Sequence, residues 1–247
     1  MSHPEAAAAP RDAAADLLDI YRILDARYRG ETWHWLADAV HGPMDIVAGA
    51  VLVQHTTWTN AERALGSMRA AGALDPQALA AMPPADLAAL VRVSGTPTIK
   101  ARRLRAVAET IVRAGGIDAL LALPPLTLCE RLLATHGIGP ETADAIALYA
   151  AGSLVFVIDA YTRRLFGRLG IGPAHGGYAA WQGYFEDALA GEASVDLFQR
   201  YHGYIVLHAK ALCRTVPRCA PCPLLPRCPD GQSRAAEATP ATAAVTA

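Results

Sequence analysis

Four cysteines near the end of the chain are spaced like ligands of one metal centre. Cys213, Cys219, Cys222 and Cys228 follow the pattern Cys-x5-Cys-x2-Cys-x5-Cys. Thiolates are soft ligands that suit zinc and iron–sulfur clusters. Zinc modules usually pair two short knuckles, and only the middle two cysteines form one, so the spacing favours an iron–sulfur cluster over zinc. A disulfide pair is the third interpretation, but nothing in the sequence indicates an oxidising compartment.

A second candidate site lies in residues 132–150, LLATHGIGPETADAIALYA. We predict that one helix ends before Gly137-Ile138-Gly139 and that Pro140 begins the next, because proline is favoured in the first turn of a helix. The two glycines permit positive φ angles, and the following helix start presents further N–H groups to an anion. This hairpin could hold a DNA phosphate without reading any base. An ordinary turn between two helices is the alternative.

Asp159 follows the apolar run Leu154–Ile158 and precedes a stretch that carries Arg163 and Arg164. The run is the one strand-like segment of the sequence, and we interpret it as a buried connector. Asp is a favoured helix N-cap residue, so a purely structural role is one interpretation. The other is a carboxylate that the buried run holds at the edge of a cleft. The two roles are compatible, because a capping position fixes the direction of the side chain.

Helical periodicity dominates the remaining sequence and predicts an all-α fold with many short helices that begin at proline or end at glycine. The chain has 247 residues, 53% of them hydrophobic, and a net charge of −1, so its charge does not indicate a nucleic-acid partner and only local basic clusters could. Cys129 lies in an apolar helical context and is interpreted as a packing residue. We find no secretory signal and no membrane span, and we expect a cytoplasmic protein with mobile tails at residues 1–10 and 231–247.

The order of these features, a helix–hairpin–helix, an apolar run that ends in Asp and a four-cysteine loop, resembles the helix–hairpin–helix DNA glycosylases of the endonuclease III superfamily. The resemblance covers about residues 30–230. It implies two helical domains with a cleft between them and a [4Fe–4S] cluster on the cysteine loop. One domain would be a six-helix domain at residues 37–150 with the hairpin, and the other would combine residues 11–36 and 151–230.

Two further segments are similar to segments of that family. Residues 48–65 resemble the part whose Gln-x-Thr faces the lesion, which implies that Gln54 occupies the space vacated by a flipped base. Residues 94–104 resemble the loop that enters the DNA stack, with Thr96 and Pro97 at its tip. Enzymes that act on a base inside a duplex must flip it into a pocket.

One departure determines the branch of the family. The bifunctional enzymes have a lysine after the hairpin, and this sequence has Glu141 there, which cannot form an imine with the sugar. Glu at this position, together with Trp33, Trp35 and Trp58, is more similar to the branch of 3-methyladenine DNA glycosylase III. The resemblance implies a monofunctional hydrolase for alkylated purines, in which the tryptophans stack on the base and Asp159 stabilises the cationic sugar and orients water.

The resemblance also implies double-stranded DNA with damaged bases as the partner, a monomeric protein and a location at the nucleoid. The cluster would then be structural, and further phosphates would be held by basic residues around it, such as Arg214, Arg218 and Arg227. The residues predicted to contact DNA phosphates are Gly137, Ile138, Gly139, Arg163, Arg164 and Lys210.

Two other functions remain compatible with the sequence. Lys100 and Lys210 are the only lysines in the chain, and either could replace the missing lysine in a lyase that acts on oxidised pyrimidines. Glu141 and the small side chains at Thr96-Pro97 would also suit a DNA-binding paralogue that has lost excision activity.

Overall fold

The computed structural model describes residues 12–36 and 42–238, and every regular element within them is a helix, as the sequence predicts. Three short 3-10 helices cover His34–Leu36, Arg92–Ser94 and Leu225–Arg227. The α-helices are α1 (Ala13–Tyr28), α2 (Pro43–Leu52), α3 (Trp58–Ala70), α4 (Pro76–Ala81), α5 (Pro84–Leu90), α6 (Pro97–Arg113), α7 (Ile117–Leu121), α8 (Pro125–Leu133), α9 (Pro140–Tyr149), α10 (Ala160–Leu169), α11 (Tyr178–Leu189), α12 (Val195–Ala211) and α13 (Pro229–Ala238).

Prolines and polar caps define most of the helix starts. Helices α2, α4, α5, α6, α8 and α9 each begin at a proline, whose missing N–H costs nothing in the first turn. Asp12, Thr57 and Asp75 accept hydrogen bonds from first-turn N–H groups of α1, α3 and α4. The prediction that many short helices begin at proline is therefore confirmed.

The chain divides into two compact units. Of the described residues, those within 32–157 and 194–199 form the hairpin unit, and those within 12–31, 158–193 and 200–238 form the cysteine unit. Eight α-helices, α2–α9, lie in the described part of the hairpin unit, where six were predicted, because prolines divide the sequence into short helices such as α4 and α5. Helix α2 is buried from Met44 to Leu52 and packs against α3 and α9, so it forms the centre of this unit's core.

The cysteine unit has a core of aromatic and aliphatic side chains. The rings of Phe166 and Phe185 meet edge to face with centroids 4.8 Å apart. The Tyr201 hydroxyl donates a 2.7 Å hydrogen bond to the carbonyl of Leu17 on α1. Helix α13 occupies residues 229–238, so the predicted mobile tail from residue 231 is wrong through Ala238. Residues 1–10 and 239–247, the rest of the predicted tails, lie outside the described residues.

Residues 154–158 form neither a helix nor a strand, so the interpretation of this run as a connector is confirmed. Phe156, Val157 and Ile158 are buried, whereas Leu154 is exposed and Val155 is only half-buried, so the expectation that Val155 is buried is wrong. No helix in the described part of the chain is long and apolar enough to cross a membrane.

Candidate functional site

The predicted hairpin joins α8 to α9, and its glycines have distinct conformational roles. Gly137 has a φ of +82°, and a Cβ added there would lie 2.3 Å from Cγ of Arg103. A larger residue at 137 would therefore strain the backbone and clash with the arginine. Gly139 is extended and forms the N-cap of α9, where Pro140 follows. Ile138 is buried between them and anchors the turn.

Gln54, predicted to face the lesion, is held against this hairpin. Its amide nitrogen donates to Thr142 Oγ1 at 3.0 Å and lies 3.5 Å from the Gly137 carbonyl oxygen. Arg103 of α6 donates from its Nη1 to the Gln54 Oε1. All four residues belong to the hairpin unit, so one network orients both the glutamine and the turn. The sequence showed Arg103 only as one of several basic residues on α6.

Two non-glycine residues in the described chain have a positive φ, and both lie at segments predicted to face DNA. His55 has a φ of 55° and directly follows Gln54. Thr96 has a φ of 43° and is the N-cap residue of α6, before Pro97. Left-handed backbone is costly for residues with a Cβ and concentrates at functional sites. Thr96 is exposed, as a loop that enters DNA requires.

The three tryptophans predicted to contact the base lie in one aromatic cluster of the hairpin unit, together with His34 and Tyr149. Trp33 and Trp35 are buried, and Trp58 is half-buried. The His34 imidazole stacks on Trp58, with centroids 4.1 Å apart and planes inclined by 16°. Trp35 meets Tyr149 edge to face at 4.8 Å, and Trp33 Nε1 donates to the Tyr149 hydroxyl at 3.0 Å.

Gly49 of α2 provides the surface against which Trp58 packs. A Cβ at Gly49 would approach the Trp58 ring to 3.4 Å, so the indole lies nearly on the helix backbone. Tyr149 in turn donates a 2.9 Å hydrogen bond to the carbonyl of Gln199. His34 and Tyr149 were missed by sequence reasoning, although the position of His34 between two tryptophans was a visible signal.

Asp159 caps α10 and is buried in the cysteine unit, with 7% of its surface exposed. Its Oδ1 accepts hydrogen bonds from the Thr162 N–H at 2.7 Å and the Thr162 hydroxyl at 2.8 Å. Its Oδ2 faces Nε2 of His202 on α12 at 3.6 Å. Burial raises the pKa of Asp159, but His202 and the two Thr162 hydrogen bonds outweigh it, so that the pKa lies below its usual value. His202 was missed, because it lies on another helix.

The two lysines have different environments. Lys100 is buried, with 1% of its surface exposed. Its Nζ donates a 2.7 Å hydrogen bond to the Leu52 carbonyl and a second hydrogen bond to the Ser94 carbonyl. Burial and the charge of Arg103 lower the pKa of Lys100 to about 8. Lys210 is exposed; desolvation lowers the pKa of its amine, and the charge of Asp159 opposes that effect. Glu141 lies exposed in the first turn of α9.

The four clustered cysteines line one pocket of the cysteine unit. Burial raises the pKa of the Cys222 and Cys228 thiols, and the neighbouring cysteines raise them further. Arg168 Nη1 lies 3.3 Å from the Cys213 sulfur, the Gly231 N–H donates to the Cys228 sulfur at 3.3 Å, and His208 Nε2 lies 3.5 Å from the Cys222 sulfur. Within the described residues, no three His, Cys, Asp or Glu side chains are grouped closely enough to hold a single metal ion.

The predicted phosphate-binding arginines have several roles. Arg164 donates to the Cys213 carbonyl at 2.9 Å, and Arg163 lies over the Trp181 ring at 5.8 Å. Arg227 forms an ion pair of 2.6 Å with Asp19 on α1. Arg214 and Arg218 are exposed in the cysteine loop. Contact of these side chains with DNA stays a prediction.

Residues 48–180, more than half of the chain, match the family model of the HhH-GPD superfamily base excision DNA repair proteins. The chain belongs to this superfamily. The matched segment includes Gln54, the hairpin and Asp159, so it contains both the Gln54–Arg103 hydrogen-bond network and the buried carboxylate.

Known relatives agree with this membership. This chain is 35% identical over 212 residues to MJ1434 of Methanocaldococcus jannaschii, which is named as a candidate DNA repair glycosylase. The match covers 85% of this chain and 94% of the relative. The 3-methyladenine DNA glycosylase of H. pylori, solved with 1,N6-ethenoadenine, is 25% identical, with a TM-score of 0.70 over 78% of this chain and 97% of that chain. An endonuclease III–DNA complex shares the fold, at 19% identity and a TM-score of 0.73, over 90% and 98% of the two chains.

Proposed function

We propose that this protein is a monofunctional DNA glycosylase that hydrolyses the N-glycosidic bond of a flipped, damaged base, with alkylated purines as favoured substrates. The observation that carries the proposal is the buried Asp159 carboxylate, whose pKa is lowered by His202 and Thr162. A fixed negative charge can stabilise the cationic sugar that develops as the bond breaks, and it can orient or deprotonate the attacking water.

We propose that lyase chemistry is absent because no lysine directly follows the hairpin and the amine of Lys100 is buried. Glu141 stands after the hairpin, where an imine-forming lysine would be needed, and a carboxylate cannot replace it. Lys100 is buried, and its Nζ is committed to two backbone carbonyls. Forming an imine at Lys100 would break both hydrogen bonds and require the side chain to leave the core. Lys100 is therefore a poor candidate for the lyase nucleophile.

The aromatic cluster of the hairpin unit is the proposed stacking site: Trp33 and Trp35 are buried, and a base would stack on Trp58 by replacing His34, which covers that ring in the free protein. Stacking on indole favours any flat base, and cation–π attraction adds roughly 0.5–2 kcal/mol for a cationic one, such as an alkylated purine. An alkylated purine is also a good leaving group, so Asp159 would suffice without a strong general acid. The ethenoadenine bound to the H. pylori glycosylase is itself a modified purine.

The spacing of the four cysteines, all of which line one pocket, supports a proposed [4Fe–4S] cluster. A single zinc ion needs four sulfurs about 2.3 Å from one point, whereas a four-iron cluster binds its thiolates at separate corners. Sulfurs that surround a pocket suit the second arrangement, with Cys213, Cys219, Cys222 and Cys228 as the ligands. The cluster would supply a rigid cross-link that orders the loop carrying Arg214 and Arg218, and no step of the proposed hydrolysis passes through it.

Double-stranded DNA is the proposed partner of a monomeric protein in the cytoplasm, at the nucleoid. Its affinity for DNA should fall steeply with salt, because phosphate contacts release counterions even when the net charge of the protein is near zero.

A panel of duplexes, each with one lesion, tests the proposed activity. Strand breaks that appear only after alkali indicate monofunctional excision, and DNA binding without excision of any lesion would overturn the proposal in favour of an inactive paralogue. Asp159→Asn keeps the size and much of the capping ability of the side chain but removes the charge. Excision should fall on the order of a hundredfold or more while DNA binding persists. Normal excision by this variant would remove Asp159 from the mechanism.

A glycosylase–lyase is the second candidate, because Lys210 is exposed and desolvation lowers the pKa of its amine. A depressed pKa increases the fraction of neutral amine that can attack a sugar aldehyde. Incubation of the wild-type protein with lesion duplexes and borohydride separates the two candidates. A trapped adduct that disappears in Lys210→Met would establish the lyase, and the absence of an adduct during active excision supports the monofunctional enzyme.

A further inference from the structure

A buried carboxylate must be kept ionised by its surroundings if it is to stabilise a cation. Asp159 has only 7% of its surface exposed, and burial alone favours the protonated acid. The hydrogen bonds from Thr162 both reach Oδ1. The second oxygen, Oδ2, faces a histidine ring instead of a backbone donor. The two carboxylate oxygens therefore have different partners from different helices.

We propose that His202 is a positioning residue that holds the Asp159 carboxylate ionised and directs its Oδ2. The residue is 4% exposed, and its Nε2 lies 3.6 Å from Oδ2. His202 and Lys210 are eight residues apart on α12, slightly more than two turns, and so they share a face of that helix. The charge of Asp159 acts on Lys210 as well. Within the described part of the chain, Thr162 on α10 is hydrogen-bonded to this carboxylate, His202 on α12 faces its Oδ2, and Lys210 on α12 is the lysine whose amine feels its charge.

The ring of His202 does not need to touch the substrate to act in this way. His202 acts through Asp159. Without His202 the pKa of Asp159 would rise, because burial raises that pKa and His202 is the main group that lowers it. The catalytic carboxylate would then protonate in a pH range where it is now ionised. This inference rests on the proposed function for its catalytic consequence, but the ionisation of Asp159 can be measured in the resting protein.

The experiment compares His202→Leu, which removes the ring nitrogen, with His202→Gln, which keeps an N–H near the Nε2 position. Carboxyl carbon NMR of the free protein, with the signal assigned through Asp159→Asn, reports the pKa of Asp159 directly. We expect His202→Leu to raise that pKa by about one unit or more and His202→Gln to raise it less. His175→Leu, at an exposed histidine of the same unit, should leave the titration unchanged. If the Leu variant does not fold, His202→Asn, whose shorter amide cannot reach Oδ2, takes its place.

Single-turnover excision over a range of pH gives the catalytic readout. In His202→Leu, the acidic limb should move to higher pH, with a loss of about tenfold at acidic pH for each unit by which the pKa rises. Rates well above that pKa should stay within a few-fold of the wild type. An unchanged Asp159 titration in the folded Leu variant would overturn the inference, even if excision is normal. Absence of excision by the wild type would overturn the proposed function instead and leave the titration as an independent test.

Discussion

The guanidinium of Arg103 donates a hydrogen bond to the side-chain oxygen of Gln54, 49 residues earlier in the chain. The aliphatic part of the arginine lies against Gly137, and the amide nitrogen of Gln54 bonds to Thr142 in the first turn of α9. The residue predicted to fill the space left by a flipped base is therefore oriented from the hairpin that is predicted to hold the phosphates.

We predict that Arg103→Ala weakens recognition of damaged DNA by about tenfold. A hydrogen bond to a charged partner contributes roughly 1.5–3 kcal/mol, and Gln54 would lose that partner and sample other rotamers. Fluorescence anisotropy with a duplex containing an abasic-site analogue, compared with an undamaged duplex, measures the effect. Arg102→Ala is the matched control, because Arg102 is an exposed neighbour on the same helix. Equal losses in the two variants would show that Arg103 contributes only charge.

Lys100 leads to a prediction about stability. Its pKa is about 8 in the folded protein, below the value of 10.5 for a free lysine, so the unfolded chain binds more protons between these two values. Because the folded pKa is depressed, stability relative to a variant without this amine should rise as pH increases from about 8 to 10.5. Denaturant unfolding of wild type and Lys100→Met at a series of pH values measures this difference.

Each tenfold difference in proton affinity between the folded and unfolded chain corresponds to about 1.4 kcal/mol. Because the two pKa values of Lys100, about 8 and 10.5, differ by 2.5, wild type should gain roughly 3 kcal/mol in the free energy of unfolding over Lys100→Met across this pH window. The comparison cancels the titration of all other groups to first order. A difference that is independent of pH would mean that Lys100 titrates normally and that its ammonium reaches solvent.

The cysteine loop predicts that the purified protein is yellow-brown and contains about four irons per chain. Cys213→Ser should lose the iron and much of the soluble yield, because Cys213 is a buried member of the pocket. Cys129→Ser, outside the pocket, should retain both. Metal analysis and the visible absorption spectrum provide the measurement. Stoichiometric zinc in a colourless protein would contradict the cluster and favour the zinc alternative.

Local patterns predicted the parts of the molecule whose residues are close in sequence. The helix starts, the hairpin and the cysteine spacing each depend on a short segment, where proline, glycine or ligand spacing limits the conformations available. Asp159 was also visible, because it ends an apolar run and caps the next helix.

Partners that come from distant segments were not visible in the sequence. His202 lies 43 residues after Asp159, and the Arg103 partner of Gln54 depends on how α6 packs near the hairpin. The sequence left Lys100 open as a lyase nucleophile, but the structure buries it, because its long stem lets the ammonium reach two carbonyls inside the unit. Side-chain length and long-range packing determine whether such residues are buried and which partners they meet, and the periodicity of a sequence carries no information on either.

Glu141 provides the last prediction, because the sequence resemblance predicts that it occupies the position of the imine-forming lysine of the bifunctional enzymes. It is exposed in the first turn of α9, so a lysine there should fold without strain. If this position faces the sugar, Glu141→Lys should form an imine with an abasic site, and borohydride should trap at least on the order of tenfold more covalent adduct than with wild type. Glu130→Lys is the control, because it makes the same charge change at an exposed position on α8. Equal trapping by the two variants would show that added positive charge, rather than the position of the amine, produces the adduct, and position 141 would then have no direct role at the sugar.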